Sequence, residues 1–268
     1  LSHPDPSVDR RSGFLTPAFY DSKNLGEGIS VPYFFNFGKD KNFTLTNRFY
    51  ASENPLFLGE YHQAFKNSNL LTDFGFTEGY KNNSATKKPG DKSHIFLSFL
   101  KNFNLQNDSD NTLSLSVQNV SNDKYLKLYK IKSNLVDYNQ NTLENSLDFT
   151  HESDDVFLGI KGTIYETLKD DYDDKYEYIF PNATFDKNII NSEIYGSLDL
   201  QSNLEVHNYD TNKYTNFFVN DFNWESKDLF LKNGLAVNFL GNFRNINYEA
   251  KNLDLYKDDF TSEAYGAL

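Results

Sequence analysis

The 268 residues carry 38 acidic against 26 basic side chains, a formal charge of −12, and no basic run longer than Arg10-Arg11 or Lys87-Lys88, so nucleic acid is excluded as a partner for want of clustered phosphate contacts. Mean hydropathy is −0.65 and no stretch approaches the roughly 18 uninterrupted apolar residues of a membrane helix; this excludes helical spanning but not a barrel, whose strands confine apolarity to every second position. Zero cysteines exclude a disulfide framework or thiolate metal site within the chain and are compatible with an envelope location.

The chain opens on Leu1 and contains no Met, so it is expected to be part of a longer product, with any signal peptide upstream. Its first segment runs from His3-Pro4-Asp5-Pro6 through Arg10-Arg11-Ser12-Gly13-Phe14-Leu15-Thr16-Pro17 to Val31-Pro32-Tyr33-Phe34. A proline sits inside each of two consecutive strand-like runs. Proline cannot donate a ladder hydrogen bond, so Pro17 and Pro32 belong at bulges, edges or strand starts and weaken the hairpin they share.

Beyond this opening, apolar and polar residues alternate with the period of a strand. Phe43, Leu45, Asn47 and Phe49 share one phase, and Thr44, Thr46, Arg48 and Tyr50 the other. After Glu53-Asn54-Pro55 the partner run sets Phe57, Gly59, Tyr61 and Phe65 against Leu58, Glu60, His62 and Lys66. Leu113, Leu115 and Val117 alternate with Ser114, Ser116 and Gln118; Val156, Leu158, Ile160 and Ile164 with Gly159, Lys161 and Thr163. Ile194, Leu198 and Leu200 alternate with Ser197, Asp199 and Gln201, and Leu235, Val237, Phe239 and Phe243 with Asn238, Asn242 and Arg244. One face is lipid-like and the other water-like, which makes Leu158, Ile160, Leu198, Val237 and Phe239 candidate lipid-facing residues.

Helical periodicity is not evident. The pattern gives about thirteen strands of about 10 to 15 residues, long enough to cross a bilayer at the usual tilt. Lys66 to Asn69 forms a tight turn, whereas Asn82 to Lys92, Lys132 to Asn141 and Lys169 to Lys175 are longer polar loops, the asymmetry expected of a barrel. The abundance of Phe (25) and Tyr (18) suits an apolar face with aromatic girdles. No compositional break follows Arg11, so residues 12–268 read as one all-β, antiparallel transmembrane barrel segment and 1–11 as a linker. A soluble sandwich or solenoid is the alternative that alternation alone leaves open.

The five histidines, His3, His62, His94, His151 and His207, are scattered and no pair has the i, i+4 spacing of a zinc site. The cluster Asp170-Asp171-Tyr172-Asp173-Asp174 lacks the Gly and terminal Glu of a calcium loop and reads as a solvated turn. No nucleophile elbow, phosphate loop or dinucleotide fingerprint occurs. Neither a cofactor, a metal nor an enzymatic activity is expected.

From His3 to Phe65 the order of motifs resembles one family, the lipopolysaccharide-assembly outer-membrane proteins LptD (OstA/Imp): "HPDP" and "RRSGFLTP", then "PYFFN", "FTLTNRFY" and "NPLFLGEYHQAF". Looser likenesses are Leu70 to Asn82, Asn122 to Tyr129 and Lys175 to Phe185. The resemblance implies a periplasmic jellyroll domain upstream and a barrel of about 26 strands, of which this chain is the N-terminal half. It further implies lipopolysaccharide delivered by a periplasmic Lpt bridge, an LptE-type plug lipoprotein in the lumen, and release into the bacterial outer membrane between the first and last strands. Gly13, Phe14, Pro17 and Pro32 match the family's first hairpin, the lateral gate. The cysteines that link jellyroll to barrel in many members lie outside this segment or are absent, so the resemblance does not carry over a disulfide-gated maturation. A porin or receptor barrel would share the alternation without the double-proline opening, and a soluble glycan-binding module would need no detergent.

Overall fold

Alternation with period two leaves each run a choice of neighbours but not of conformation, and the computed structural model is accordingly an antiparallel sheet. It describes residues 10–84, 87, 89–105, 109–169, 174–257 and 259–268. Most of the linker expected over 1–11, and the acidic cluster apart from Asp174, lie outside the described residues. In chain order the elements are β1 (Gly13–Phe14), β2 (Ala18–Ser22), β3 (Gly26–Asn36), β4 (Lys41–Tyr50), β5 (Leu56–Ala64), β6 (Ser68–Gly79), β7 (Pro89–Phe103), β8 (Asp110–Val120), α1 (Tyr125–Tyr129) and β9 (Thr142–Glu152). There follow β10 (Val156–Thr167), β11 (Tyr176–Ser192), β12 (Gly196–Tyr209), β13 (Lys213–Glu225), β14 (Leu229–Phe230), β15 (Ala236–Val237), β16 (Leu240–Lys251) and β17 (Thr261–Ala267).

Hydrogen-bonded neighbours follow chain order: β1 and β2 both lie against β3, β3 leads through β13 to β16 and β17, and β14–β15 form a separate ribbon. Because β1 and β2 share one place, the fifteen strands of the sheet occupy fourteen positions, against about thirteen expected. The alternation is weakest at β17, whose Thr-Ser-Glu-Ala-Tyr-Gly-Ala carries one large side chain. No helix of the described residues is long and apolar enough to cross a membrane, which says nothing of a barrel.

Two compact units divide the chain. The first comprises Leu1–Lys101, Leu115–Glu144 and Leu168–Asp170. Here the two faces of the β4–β7 ladder differ sharply. Phe49, Phe57, Phe74, Phe76 and Ile95 stand exposed on one face, while Asp73, Thr77 and His94 are buried on the other. That distribution inverts a soluble protein, which hides large apolar groups and exposes charge. Gly59 is required on the exposed face. It lies opposite Phe74 and Leu45, and a Cβ there would come within 2.4 Å of the Phe74 ring.

The buried face is covered by the segment after β8, which the polar reading of Lys132 to Asn141 did not anticipate. Tyr125, Leu126 and Tyr129 of α1, with Ile131 and Val136 beyond it, pack on Tyr50, Leu56, Leu58, Tyr80 and Phe96 of the strands. Five residues are too few for a helix to persist alone, and no side chain caps its N-terminus. Packing holds it. Lys130 takes a left-handed conformation (φ 47°) to end the helix, and the Ile131 N–H donates to the Leu126 carbonyl. The helical spacing of Tyr125, Leu126, Leu128 and Tyr129 was present in the sequence but ends before it completes two turns.

The second unit comprises Asn102–Ser114, Asn145–Thr167 and Asp171–Leu268, with β10 to β13, β16 and β17 in register. Pro181, which lacks an N–H, sits where both ladders of β11 slip by one residue, and Gly162 leaves room for the Phe180 ring beside it. The run Leu235 to Phe243 is not one strand, as expected from its alternation. A turn at Gly234 (φ 82°) closes β14 on β15, pairing Leu229 with Val237. Ser226 and Phe239 then bond at the base, and β16 starts only at Leu240.

Truncating Leu126 to Ala should remove about 2–5 kcal/mol of packing and speed amide exchange across residues 125–131, while the β12–β13 ladder keeps its protection. Equal loss in both would show that α1 is not an independent layer.

A second outcome concerns the loop clasp at Glu53, which is buried. Burial pushes its carboxyl up, but the Lys87 ammonium (2.7 Å) and the Lys81 N–H (2.9 Å) outweigh this and hold its pKa below the ordinary value. A depressed carboxylate stabilises above its unfolded pKa and loses that contribution as pH falls through the folded one. Protection of the Lys81 amide, corrected for intrinsic exchange, should therefore fall below about pH 4, and Glu53→Gln should abolish this pH dependence.

Candidate functional site

The first hairpin is the weakest ladder of the first unit. Gly13 pairs with Phe34 and Phe14 with Tyr33, the two rings meeting edge to face at 4.9 Å. One step on, Leu15 stands opposite Pro32 and its N–H donates to the Pro32 carbonyl at 2.9 Å. An antiparallel pair of this kind normally exchanges two bonds. The return bond, from residue 32 to the Leu15 carbonyl, cannot form because proline has no N–H.

The strand then breaks. Leu15, Thr16 and Pro17 span the gap that Val31 and Pro32 bridge on β3, before Ala18 resumes pairing with Ser30. Pairing of β3 with β4 continues unbroken past Pro32, opposite Thr46, so the missing donor is lost to the first strand alone. Below the break, Asn36 holds the entering chain: its N–H donates to Ser12 Oγ and its amide to the Arg10 carbonyl. Nothing lies within 4 Å of a Cβ built on Gly13, so sterics do not demand glycine there.

Behind this hairpin, β2, β3 and β4 and the end of α1 enclose a cavity of about 300 Å³. Arg48 of β4 donates from Nη1 to the Tyr129 carbonyl at 2.7 Å and so ties α1 to the hairpin. The Tyr50 ring stands between those of Tyr20 and Tyr129. Burial pushes the Tyr129 phenol up to about 12 and raises that of Tyr125 further, so both hydroxyls are neutral donors at physiological pH.

The other tether of α1 is a buried series. Tyr125 Oη lies 3.1 Å from His94 Nδ1, and His94 Nε2 lies 3.2 Å from Asp73 Oδ1. Gly75 makes room for it, since a Cβ there would meet the His94 ring at 2.6 Å. These groups are bonded to each other and buried, so the series is a brace. Among the described residues no group of three His, Cys, Asp or Glu could hold a metal ion.

In the second unit the expected lipid-facing residues divide. Leu158 stands opposite Phe185, Ile160 opposite Ala183 and Leu198 opposite Trp224, on one apolar face. Its alternate face is a polar ladder in which Asn188 donates to Asp199, Asn242 to Asn223, and Arg244 to both oxygens of Asp221. Val237 and Phe239 stand outside it, on and beside the β14–β15 ribbon.

Gly13, Phe14, Pro17 and Pro32 thus lie together along the first hairpin. Arg48, Tyr129 and the His94 series were not singled out. Their signal, a short helix-spaced apolar run after a strand, becomes meaningful only when the strand that receives it is known.

No family model matches the chain. Among curated proteins it is similar to the LPS-assembly protein LptD of Methylococcus capsulatus, 49% identical over 57 residues, 21% of this chain and 6% of that protein. The protein of the same name from Nitrosococcus oceani is 41% identical over 51 residues, 19% of this chain and 7% of its own length. That of Legionella pneumophila is 26% identical over 169 residues, 60% of this chain and 20% of its own. The chain therefore spans at most a fifth of the length of these relatives. Stretches shared with proteins of one name in diverse bacteria, on a chain that folds as a long antiparallel sheet, point to a single family: over parts of its length this chain is similar to the LptD proteins.

Proposed function

We propose that the chain serves lipopolysaccharide assembly at the outer membrane of a Gram-negative bacterium, as the N-terminal half of a barrel that inserts lipopolysaccharide into the outer leaflet through a lateral gate. In this reading the cargo arrives from a periplasmic Lpt bridge through a jellyroll domain, an LptE-type lipoprotein plugs the lumen, and no covalent chemistry takes place. The names of the relatives support the coarse function. One observation carries the gate: the half-made Leu15–Pro32 pair beside the break at Leu15–Pro17.

The energetics favour a seam that yields locally. In hydrocarbon an unpaired backbone group has no water to turn to, so a complete ladder resists parting along its whole length. Two prolines remove two potential donors at about 0.5–1.5 kcal/mol each, shifting an opening equilibrium by about 1–3 kcal/mol or roughly five- to 150-fold. Asn36 and the intact β3–β4 ladder keep the rest of the hairpin in place while the first strand moves.

Replacing Pro17 and Pro32 by Ala in the full-length protein should restore those donors and slow the appearance of pulse-labelled lipopolysaccharide at the cell surface, with assembly and plug binding unchanged. Export at the wild-type rate from a normally assembled variant would reduce the prolines to ordinary bulge formers.

The barrel reading is tested separately. Ile160→Arg, on the apolar face of a mid-length strand, should cost roughly 2–4 kcal/mol and cut heat-resistant assembled protein, whereas Gln201→Arg on the polar face should be near neutral. Equal defects would mean that the faces are reversed.

A further inference from the structure

The cavity behind the first hairpin has a chemistry that neither the gate nor the sheet uses. Arg48, Lys130 and Lys132 line it, and among the described residues none of the three is in an ion pair with a carboxylate, in a chain of net charge −12. Arg48 spends one donor on the Tyr129 carbonyl; its fork has further N–H groups to offer. The Tyr20 hydroxyl has that of Tyr50 beside it and the Tyr129 hydroxyl has Thr77, neither in full hydrogen-bond geometry, and Tyr129 is only 3% exposed. Buried polar groups of this kind are ordinarily satisfied. The remaining wall is apolar, with Leu25 and Leu128, and one carboxylate, Asp21, stands at the lining.

We propose that this cavity binds the phosphate group of an amphiphile, with the cations and phenols around the phosphate and the apolar wall against the adjoining hydrocarbon or sugar face. Three cations and two neutral hydroxyls suit a group with several strong acceptor oxygens and a charge between −1.5 and −2, which is a phosphomonoester. About 300 Å³ is at the lower end of ligand pockets, enough for a phosphorylated headgroup and the start of a chain but not for a whole lipid. Because β2, β3 and β4 form one wall and α1 with Lys130 and Lys132 the other, the bound phosphate would bridge the hairpin to the segment that covers it.

The test uses the full-length protein with its plug in neutral detergent, titrated with four probes: a bis-phosphorylated lipid A disaccharide, the same lipid dephosphorylated, dioleoylphosphatidic acid and inorganic phosphate. Binding of a phosphorylated lipid should weaken about tenfold or more in Lys130→Gln/Lys132→Gln, with the dephosphorylated lipid unaffected. Lys127→Gln, a cation of α1 bonded to Asn141 instead, should change nothing. The double variant leaves the Arg48 tether intact, and unchanged amide protection in α1 shows that the segment remains folded.

Preference for the lipid A probe over phosphatidic acid, or equal binding of both, supports the proposal and identifies the source of the phosphate. Equal affinity for phosphorylated and dephosphorylated lipid, or an unaltered double variant, overturns it. Inorganic phosphate binding as tightly as either lipid overturns the amphiphile. Binding is read apart from export, so loss of the transport reading leaves this result standing, and the reverse.

Discussion

Backbone amides and carbonyls placed in hydrocarbon have no solvent to bond, so a strand that crosses a bilayer must give every one of them to its neighbours. Most of this chain meets that demand, through ladders that run unbroken from β3 to β7 and from β10 to β17 apart from local slips. The demand also explains where irregularity is tolerated. Pro181 sits at a bulge shared by both ladders of β11, so a missing donor and an extra residue are absorbed together. At the first hairpin an extra residue likewise accompanies the break, and the Leu15–Pro32 pair is left one bond short.

Side chains follow the backbone's constraint. On the apolar face the polar pair Ser202 and Asn220 bond each other at 2.7 Å, which removes the penalty each would carry alone. On the alternate face, carboxylates, amides and the Arg244 fork are paired across strands, so the face is polar but internally satisfied. In the first unit the face under α1 is apolar. There Leu56, Leu58 and Phe96 occupy positions whose neighbours in phase are Asp73 and His94, and the helix completes both needs at once, covering the first and bonding the second through Tyr125.

The first hairpin and the covering segment are therefore one mechanical unit. Arg48 connects them at the hairpin side and the His94 brace at the β6–β7 side. Two anchors of unlike chemistry, one charged and at the margin of a cavity, the other buried and filled, hold α1 at its two ends.

The period-two alternation by itself determined the class of fold, the approximate number of strands, and which residues of a regular strand share a face. Leu158, Ile160 and Leu198 fell together for that reason, because side-chain direction in a strand depends only on parity. The prolines were legible as breaks for an equally local reason, the missing N–H. Tertiary structure decided the rest. Val237 and Phe239 kept their parity but left the sheet, since a glycine turn folded their run back on Leu229 before it could reach β13. The covering role of Tyr125, Leu126 and Tyr129 was hidden because a helix of five residues has no stability of its own, and its existence depends on strand residues from Tyr50 to Phe96, far away in the chain. Arg48 read simply as one polar residue in an alternating run. What it faces is set by the return of a segment 80 residues later, and no local pattern encodes that meeting.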